Sequence, residues 1–127
     1  MKRTTREWVR KAEADRLIAQ RISRGKTPLH DGVCFHCQQC AEKYLKALLE
    51  EHGSTIPRTH NLDDLLNLLP PHFAAIRALR RGLIFLTDFA VDPRYPNGNT
   101  GKRQAAAALR WAERVRTECR KLLEIKR

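Results

Sequence analysis

The sequence lacks any long hydrophobic run, and this absence limits where the protein can work. No apolar stretch approaches the ~18 residues that a membrane-spanning helix needs. The N-terminal residues, MKRTTRE, are charged and do not resemble the apolar segment of a secretion signal. We therefore expect a cytoplasmic protein that does not contact a membrane.

Glycine and proline are also scarce, with six of each among 127 residues, and they cluster at a few positions between stretches of helical periodicity. Internal repeats, low-complexity tracts and interdomain linkers are absent. Because domains commonly contain about 100–150 residues, we predict a single all-α domain over residues 1–127.

The clusters of glycine and proline predict five helices. Four long helices are expected over about residues 5–23, 30–52, 72–89 and 100–126. A short helix rich in leucine is expected between Asn61, a good N-cap, and the Pro70–Pro71 pair.

Cysteine is present but in a pattern that excludes its usual structural uses. Cys34, Cys37 and Cys40 are spaced by three residues within one predicted helix, so they share a face and have no loops to close. One helix cannot wrap three thiolates, even with His36, around a tetrahedral zinc ion. We predict reduced thiols in the core, with no metal site and no cofactor.

Positive charge is concentrated at the two ends of the chain, which has a net charge of +11. Residues 1–26 and 102–127 each carry nine Lys and Arg against three acids, or +6, whereas residues 27–101 carry seven against eight, or −1. This asymmetry favours an anionic partner such as a nucleic acid, a nucleotide or an acidic protein. A solvated basic surface without a ligand remains the alternative.

Some polar residues fall on faces that are otherwise apolar. Asp15 interrupts the inner stripe of the first helix, formed by Trp8, Ala12, Ala19 and Ile22, and therefore needs a partner. The second helix has a core stripe of Val33, Cys37, Cys40, Tyr44, Ala47 and Leu48. His36, Gln39 and Lys43 follow the border of that stripe, so they can act together.

The last two long helices suggest two further surfaces. The fourth predicted helix is apolar over an arc wider than one core requires, which favours an interface between subunits: Leu83, Ile84, Phe85, Leu86 and Phe89. In the final helix we expect an inner face of Ala105, Ala108, Ala112, Val115, Cys119 and Leu122. Its outer side carries a basic stripe suited to phosphates, formed by Arg103, Arg110, Arg114 and Lys121.

Four sequence features in register resemble the HEPN domain family. Residues 33–49, VCFHCQQCAEKYLKALL, resemble the second helix of that family. The other features are Trp8 with Ala12 and Asp15, the THNL sequence at 59–62, and the DPRYP sequence at 92–96. The resemblance covers nearly the whole chain. It implies an antiparallel up-and-down bundle that dimerises, often with a minimal nucleotidyltransferase as partner in a toxin–antitoxin-like pair.

The same resemblance leaves the activity open. Many relatives are ribonucleases with an Arg followed by a His four to six residues later near the last helix, but here no histidine follows His72. Arg24 and His30 have that spacing but straddle the first loop, so we interpret the match as chance. His60 is expected to cap or brace the short helix.

Two hypotheses follow. The first is a nucleotide- or RNA-binding module with a groove formed by Asp15, His36, Gln39, Lys43, Arg94 and Tyr95. The second is a divergent metal-independent ribonuclease that uses Arg94 with a histidine such as His36. We favour the first because no base is evident beside Arg94, which the flanking prolines Pro93 and Pro96 hold in place.

Overall fold

The fold is helical in a computed structural model that describes residues 1–90 and 100–125. These residues form helices α1 (Arg3–Arg24), α2 (His30–Glu51), α3 (Leu62–Asn67), α4 (Ala74–Arg77), α5 (Arg80–Thr87) and α6 (Lys102–Leu122). A single 3-10 turn, Asp88–Ala90, follows α5. The predicted all-α class is confirmed.

The long helices form an antiparallel up-and-down bundle around α2. The start of α1 meets the end of α2, where Lys2 donates hydrogen bonds to Glu50 and Glu51. Helix α6 runs parallel to α2, since Ala105 lies near Val33 and Arg120 donates to Tyr44. Helices α4 and α5 together form the remaining member of the bundle and run antiparallel to α6.

The fourth predicted helix is broken in two, unlike the continuous helix expected from the sequence. The amide of Leu79 bonds to the carbonyl of Ile76 at 3.0 Å, a tighter i→i−3 turn that interrupts the α-helix. The turn separates α4 from α5 while Ile76, Leu79 and Leu83 all remain in the core. The apolar periodicity was insensitive to this local tightening.

The predicted core stripe of α2 is buried at every position, but α2 buries much more than that stripe. Cys34, Ala41, Leu45 and Leu49 are also inaccessible, because α1, α6 and the α3–α5 segment cover the helix on three sides. The expected inner face of α6 is confirmed from Ala105 to Cys119. The prediction that Leu122 faces the core was wrong, because this residue is 36% exposed. The following residue, Leu123, is 8% exposed and packs on the core.

Most side chains of the wide apolar arc of α5 are buried within a single chain. Leu83, Leu86 and Phe89 are buried, and Phe85 is half-buried in edge-to-face contact with Phe89 at 5.1 Å. Ile84 remains 50% exposed. Within one chain, Ile84 is therefore the member of the arc that is left most exposed.

Within the described ranges, no helix combines the length and the apolarity that crossing a bilayer requires.

Two helices approach each other closely where Gly82 of α5 meets Trp111 of α6. A Cβ atom on Gly82 would lie 2.0 Å from Cε3 of Trp111, well inside contact distance. Arg114 packs over the same indole, 4.7 Å from its centroid. A side chain at position 82 would separate the helices.

We predict that Gly82→Ala destabilises the protein by about 1–3 kcal/mol in urea unfolding, because overpacking outweighs the gain in helix propensity. Gly32→Ala in α2 is the matched control. Its added Cβ would meet only the end of the Ile22 side chain, at 3.3 Å. It should be neutral or stabilising, and equal effects of the two changes would contradict the packing argument.

Candidate functional site

Asp15 forms the centre of the first polar cluster, which lies between α1 and α2. Its side chain is nearly buried and accepts hydrogen bonds from two residues of α2. His36 Nδ1 lies 2.7 Å from Oδ1, and Lys43 Nζ donates to Oδ2 at 2.5 Å. Asp15, His36 and Lys43, three residues of the expected groove, therefore lie in direct contact.

Helix geometry explains this cluster. His36 and Lys43 are seven residues apart, two turns, so both side chains project from the same side of α2. Asp15 is placed between them by Ala12 and Ala19, whose small side chains let α1 approach α2 closely. A buried carboxylate without partners is strongly destabilising, and here both oxygens have one.

Gln39 does not join the Asp15 cluster. Its amide donates instead to Gln38 Oε1 at 2.7 Å, which places it in a second cluster centred on Glu42. Glu42 Oε1 lies 2.8 Å from His60 Nδ1 and accepts from Gln38 at 3.1 Å. Its Oε2 accepts from Lys46 at 3.0 Å. Each of the two carboxylates therefore holds one histidine and one lysine.

The pKa of Glu42 reflects two opposing effects. Burial by itself would raise it, but the hydrogen bonds from His60, Lys46 and Gln38 outweigh burial and hold the pKa below its ordinary value. Glu42 is consequently a stable anion at neutral pH. Lys46 is itself nearly buried and packs over the Trp8 ring at 5.6 Å, so the charge of Glu42 is matched locally.

His60 braces the short helix, as the sequence predicted. Its ring is bound to Glu42, and its backbone carbonyl accepts from Gln38 at 3.1 Å. The next residue, Asn61, caps α3 with its side chain, which accepts from the amides of Asp63 and Asp64. The side chain of His60 is 61% exposed, so the imidazole is anchored at one nitrogen and accessible to solvent.

A third cluster joins α1, α2 and α6 and was missed in the sequence. Arg116 forms a two-pronged ion pair with Glu13, at 2.7 and 3.0 Å, and the hydroxyl of Tyr44 donates to the same carboxylate. Arg16 and Glu113 form a reciprocal pair, 3.0 Å apart at closest approach. No periodicity rule links residues about 100 positions apart, so only the tertiary fold reveals this pairing.

The charges in this third cluster are fixed by their partners. Burial opposes ionisation of Glu13, yet the bonds from Arg116 and Tyr44 lower its pKa. Burial and the bond to Glu13 raise the pKa of Tyr44, so the phenol stays protonated. The cluster therefore joins the three helices by ion pairs in which each carboxylate has an arginine partner.

Comparison with known protein families decides the identity of the fold. The HEPN domain family matches residues 5–122, which is nearly the entire chain. The chain belongs to the HEPN family. No curated protein matches it.

Two solved structures resemble this HEPN chain over most of their length. The protein TT1696 from Thermus thermophilus is 25% identical with a TM-score of 0.78, and the match covers 92% of this chain and 96% of that one. ST0689, described as an archaeal HEPN homologue, is 28% identical with a TM-score of 0.74, and the match covers 97% and 99%.

The thiols of this HEPN domain lie in its core rather than in a site. All four cysteines are free and buried. Burial raises the pKa of Cys34 and Cys37 to about 12 and that of Cys40 well above its ordinary value, which keeps them as unreactive thiols. Among residues 1–90 and 100–125, no group of three or more potential ligands is arranged to hold a metal ion.

The predicted basic stripe of α6 lies in solvent. Arg103, Arg110, Arg114 and Lys121 are all exposed. Arg114 stacks on Trp111, and Lys121 forms a long ion pair of 3.4 Å with Glu118. The other two arginines have no ion pair with a residue in the described part of the chain. The two remaining predicted groove residues, Arg94 and Tyr95, lie outside the described residues.

We predict that Glu42→Gln removes stability mainly above the carboxylate's own pKa. At neutral pH the loss should be about 1.5–3 kcal/mol, because charge-assisted bonds to Lys46 and His60 weaken. Since the folded pKa lies below the ordinary 4.5, the difference from the parent should shrink as the pH falls through that lowered value.

Urea unfolding measured between neutral and acidic pH tests this expectation. Glu50→Gln, at a half-buried position on the same helix, is the control and should change neither the free energy of unfolding nor its pH dependence appreciably. A constant difference between Glu42→Gln and the parent at every pH would refute the assigned role of the Glu42 charge.

Proposed function

We propose that this HEPN protein is a homodimeric module that binds a nucleotide or RNA and pairs with a minimal nucleotidyltransferase in a toxin–antitoxin-like system. The observation that supports binding of a nucleotide or RNA is the exposed basic stripe of α6. Three of its four side chains lack an acidic partner among the described residues.

The geometry of the stripe suits phosphate contacts. Its residues lie on one side of a single helix at spacings of seven, four and seven residues, so they follow the helix axis over about 27 Å. Arginine binds phosphate in a planar, two-pronged manner, and each phosphate neutralised releases counterions. Stacking on Trp111 orders Arg114 without consuming its charge.

The polar clusters of α2 support a second ligand-binding surface, at the edge of that helix that carries His36 and Lys43. Asp15 orients His36 and Lys43 at the edge of the helix, and Glu42 orients His60. Anchored side chains lose little conformational entropy when they contact a ligand. Support for the nucleotidyltransferase partner comes from family resemblance, and co-expression of the two proteins followed by co-purification would test it directly.

Ribonuclease activity is the alternative, favoured by one specific contact. A nuclease needs a base near the attacking 2′-hydroxyl and a cation for the developing phosphorane charge. The sequence offered Arg94 as the cation but no evident base. The contact between Asp15 and His36 supplies an oriented imidazole of the kind that general bases use.

We predict that RNA binding weakens steeply with salt and that the α6 stripe accounts for part of the slope. Replacing Arg103 and Arg114 together by Ala should reduce the slope of log K against log salt by about 1–2, since two phosphate contacts are lost. Arg6 and Arg10, exposed on α1, provide the control pair. An unchanged slope in the stripe variant, or RNA binding that ignores salt, would leave the stripe as a solvated surface.

We predict that any RNA cleavage survives EDTA and disappears in His36→Ala, because the alternative mechanism needs the imidazole but no metal. Asp15→Asn should slow cleavage by a smaller factor, since it only orients the ring. His72→Ala, at an exposed histidine that contacts Phe73, is the control. Cleavage that is equal in His36→Ala and the parent, or none in the parent, excludes this mechanism.

We predict that the dimer interface includes Ile84. Ile84→Glu should convert a dimer to a monomer in sedimentation experiments, because a buried unpaired carboxylate would oppose association. The monomer should stay folded, since Ile84 is half-exposed within the chain. Leu68→Glu, at a residue that is 49% exposed compared with 50% for Ile84, is the matched control and should remain dimeric. A parent protein that is monomeric at tens of micromolar would contradict dimerisation itself.

A further inference from the structure

A long groove separates α1 from α6 on the surface of the bundle. Both helices pack on α2, but they make little contact with each other. Two adjoining cavities of about 400 and 370 Å³ occupy the gap and share Ser23 and Leu109 in their walls. One end is closed by the ion pairs of Arg116 with Glu13 and of Arg16 with Glu113.

The floor of the groove is apolar and made of small side chains. Ala19, Cys37, Cys40 and Ala112 line the first cavity, and Val33 and Ala105 line the second. The floor carries no charge, because buried thiols stay protonated. Small residues leave space above them that larger apolar side chains from outside can fill.

The rim of the groove is strongly cationic. Arg24 and Lys26 lie on the α1 side, and Lys102 and Arg110 lie on the α6 side. Glu113 is the one carboxylate among the described lining residues, and Arg16 and Arg116 already neutralise it. An apolar floor between two cationic edges is complementary to a helix that has an apolar stripe with acidic residues on both sides of it.

The dimensions and chemistry of the groove select among possible occupants. The α1 wall extends from Arg16 to Gly25, which corresponds to about three turns of helix. Single-stranded RNA usually stacks its bases on aromatic rings, and no Phe, Tyr or Trp is found among the described residues that line the groove. A second copy of this chain would bring its own basic α1 and α6, so it is electrostatically disfavoured.

We propose that the groove between α1 and α6 docks an acidic amphipathic helix of a partner protein. The apolar stripe of that helix packs above the small residues of the floor and against the partly buried Leu109, and its carboxylates meet the cations of the rim. The inference stands on the shape and charge of the groove and does not depend on RNA binding by the outer stripe of α6.

Binding of synthetic peptides to the 127-residue protein tests this proposal. The probes are fluorescent peptides of about five helical turns, with Leu, Met or Phe at i, i+3, i+4 and i+7 and Glu at the flanking positions. Anisotropy should report saturable binding by at least one acidic peptide. Peptides with Lys in place of Glu, and peptides with the same composition in shuffled order, should bind about tenfold more weakly or not at all.

Three variants locate the binding to the groove. Arg24→Glu combined with Lys102→Glu should weaken peptide binding by about tenfold, and Ala106→Trp, which fills the groove from an exposed position, should do the same without a change of charge. Arg10→Glu combined with Arg81→Glu makes the same change in net charge at exposed positions away from the groove. This control pair should bind within about threefold of the parent. Circular dichroism melts confirm that each variant is folded.

Several results would overturn the proposal. The first is that no acidic peptide binds at about millimolar concentration. The second is that the groove pair and the control pair lose affinity equally, and the third is that Ala106→Trp keeps full affinity.

Other results would assign the groove to a different occupant. Loss of a parent dimer in Ala106→Trp would assign the groove to a second copy instead. Loss of RNA affinity in the same variant would assign it to nucleic acid. RNA binding that fails while acidic peptides bind would reject the proposed function and leave the groove assignment standing.

Discussion

Helix α2 is enclosed on three sides, so the polar side chains at its edges must find partners on the helices that cover it. Asp15 of α1 meets His36 and Lys43, and Glu13 of the same helix meets Tyr44. Removing one member of a buried ion pair typically costs about 3–5 kcal/mol, because the other charge is left unpaired. A shift of α1 along α2 by one turn would break both contacts at once. The polar pairs therefore fix the register of the bundle, while its apolar core supplies most of its stability.

The sequence revealed the features of the fold that depend on local rules. Helix periodicity, the Asn61 cap and the core stripe of α2 are set within a few residues, and all three are present in the structure. The break at Leu79 was not foreseen, because one i→i−3 turn leaves the apolar pattern unchanged. Local patterns also failed at Leu122 and Leu123. Helical periodicity no longer applies where α6 ends, so Leu123 faces the core instead of Leu122.

The candidate site was foreseen in part, for similar physical reasons. An aspartate on an apolar stripe predicts a partner for its carboxylate, and the expected groove included both His36 and Lys43, which contact it. Gln39 shares their border of the helix, but its amide reaches Gln38 and the Glu42 cluster. The pairing of Glu13 with Arg116 depends on how α1 and α6 approach, which no local pattern in either helix encodes.

The surface of this HEPN domain divides its charge between two regions of different chemistry. The outer side of α6 is mainly cationic, which suits phosphates, whereas the groove between α1 and α6 combines cations with an apolar floor, and Arg110 lies where the two regions meet. In each α2 cluster the charge of the buried carboxylate is paired with that of a lysine, and a histidine is bound to the same carboxylate. Selectivity for a ligand at α2 would therefore arise from oriented hydrogen bonds more than from net attraction.

The function proposed for this HEPN domain requires a nucleotide or RNA to bind along α6 and at the edge of α2 that carries His36. The most direct test is NMR chemical-shift mapping on isotope-labelled protein titrated with a short RNA and, separately, with nucleotides. Saturable shifts are expected for the amide or side-chain signals of Arg103, Arg110 and Arg114 and for the ring of His36, with little change at the opposite end of α5. Saturable shifts confined to other surfaces, or no shifts with any of these ligands, would contradict it.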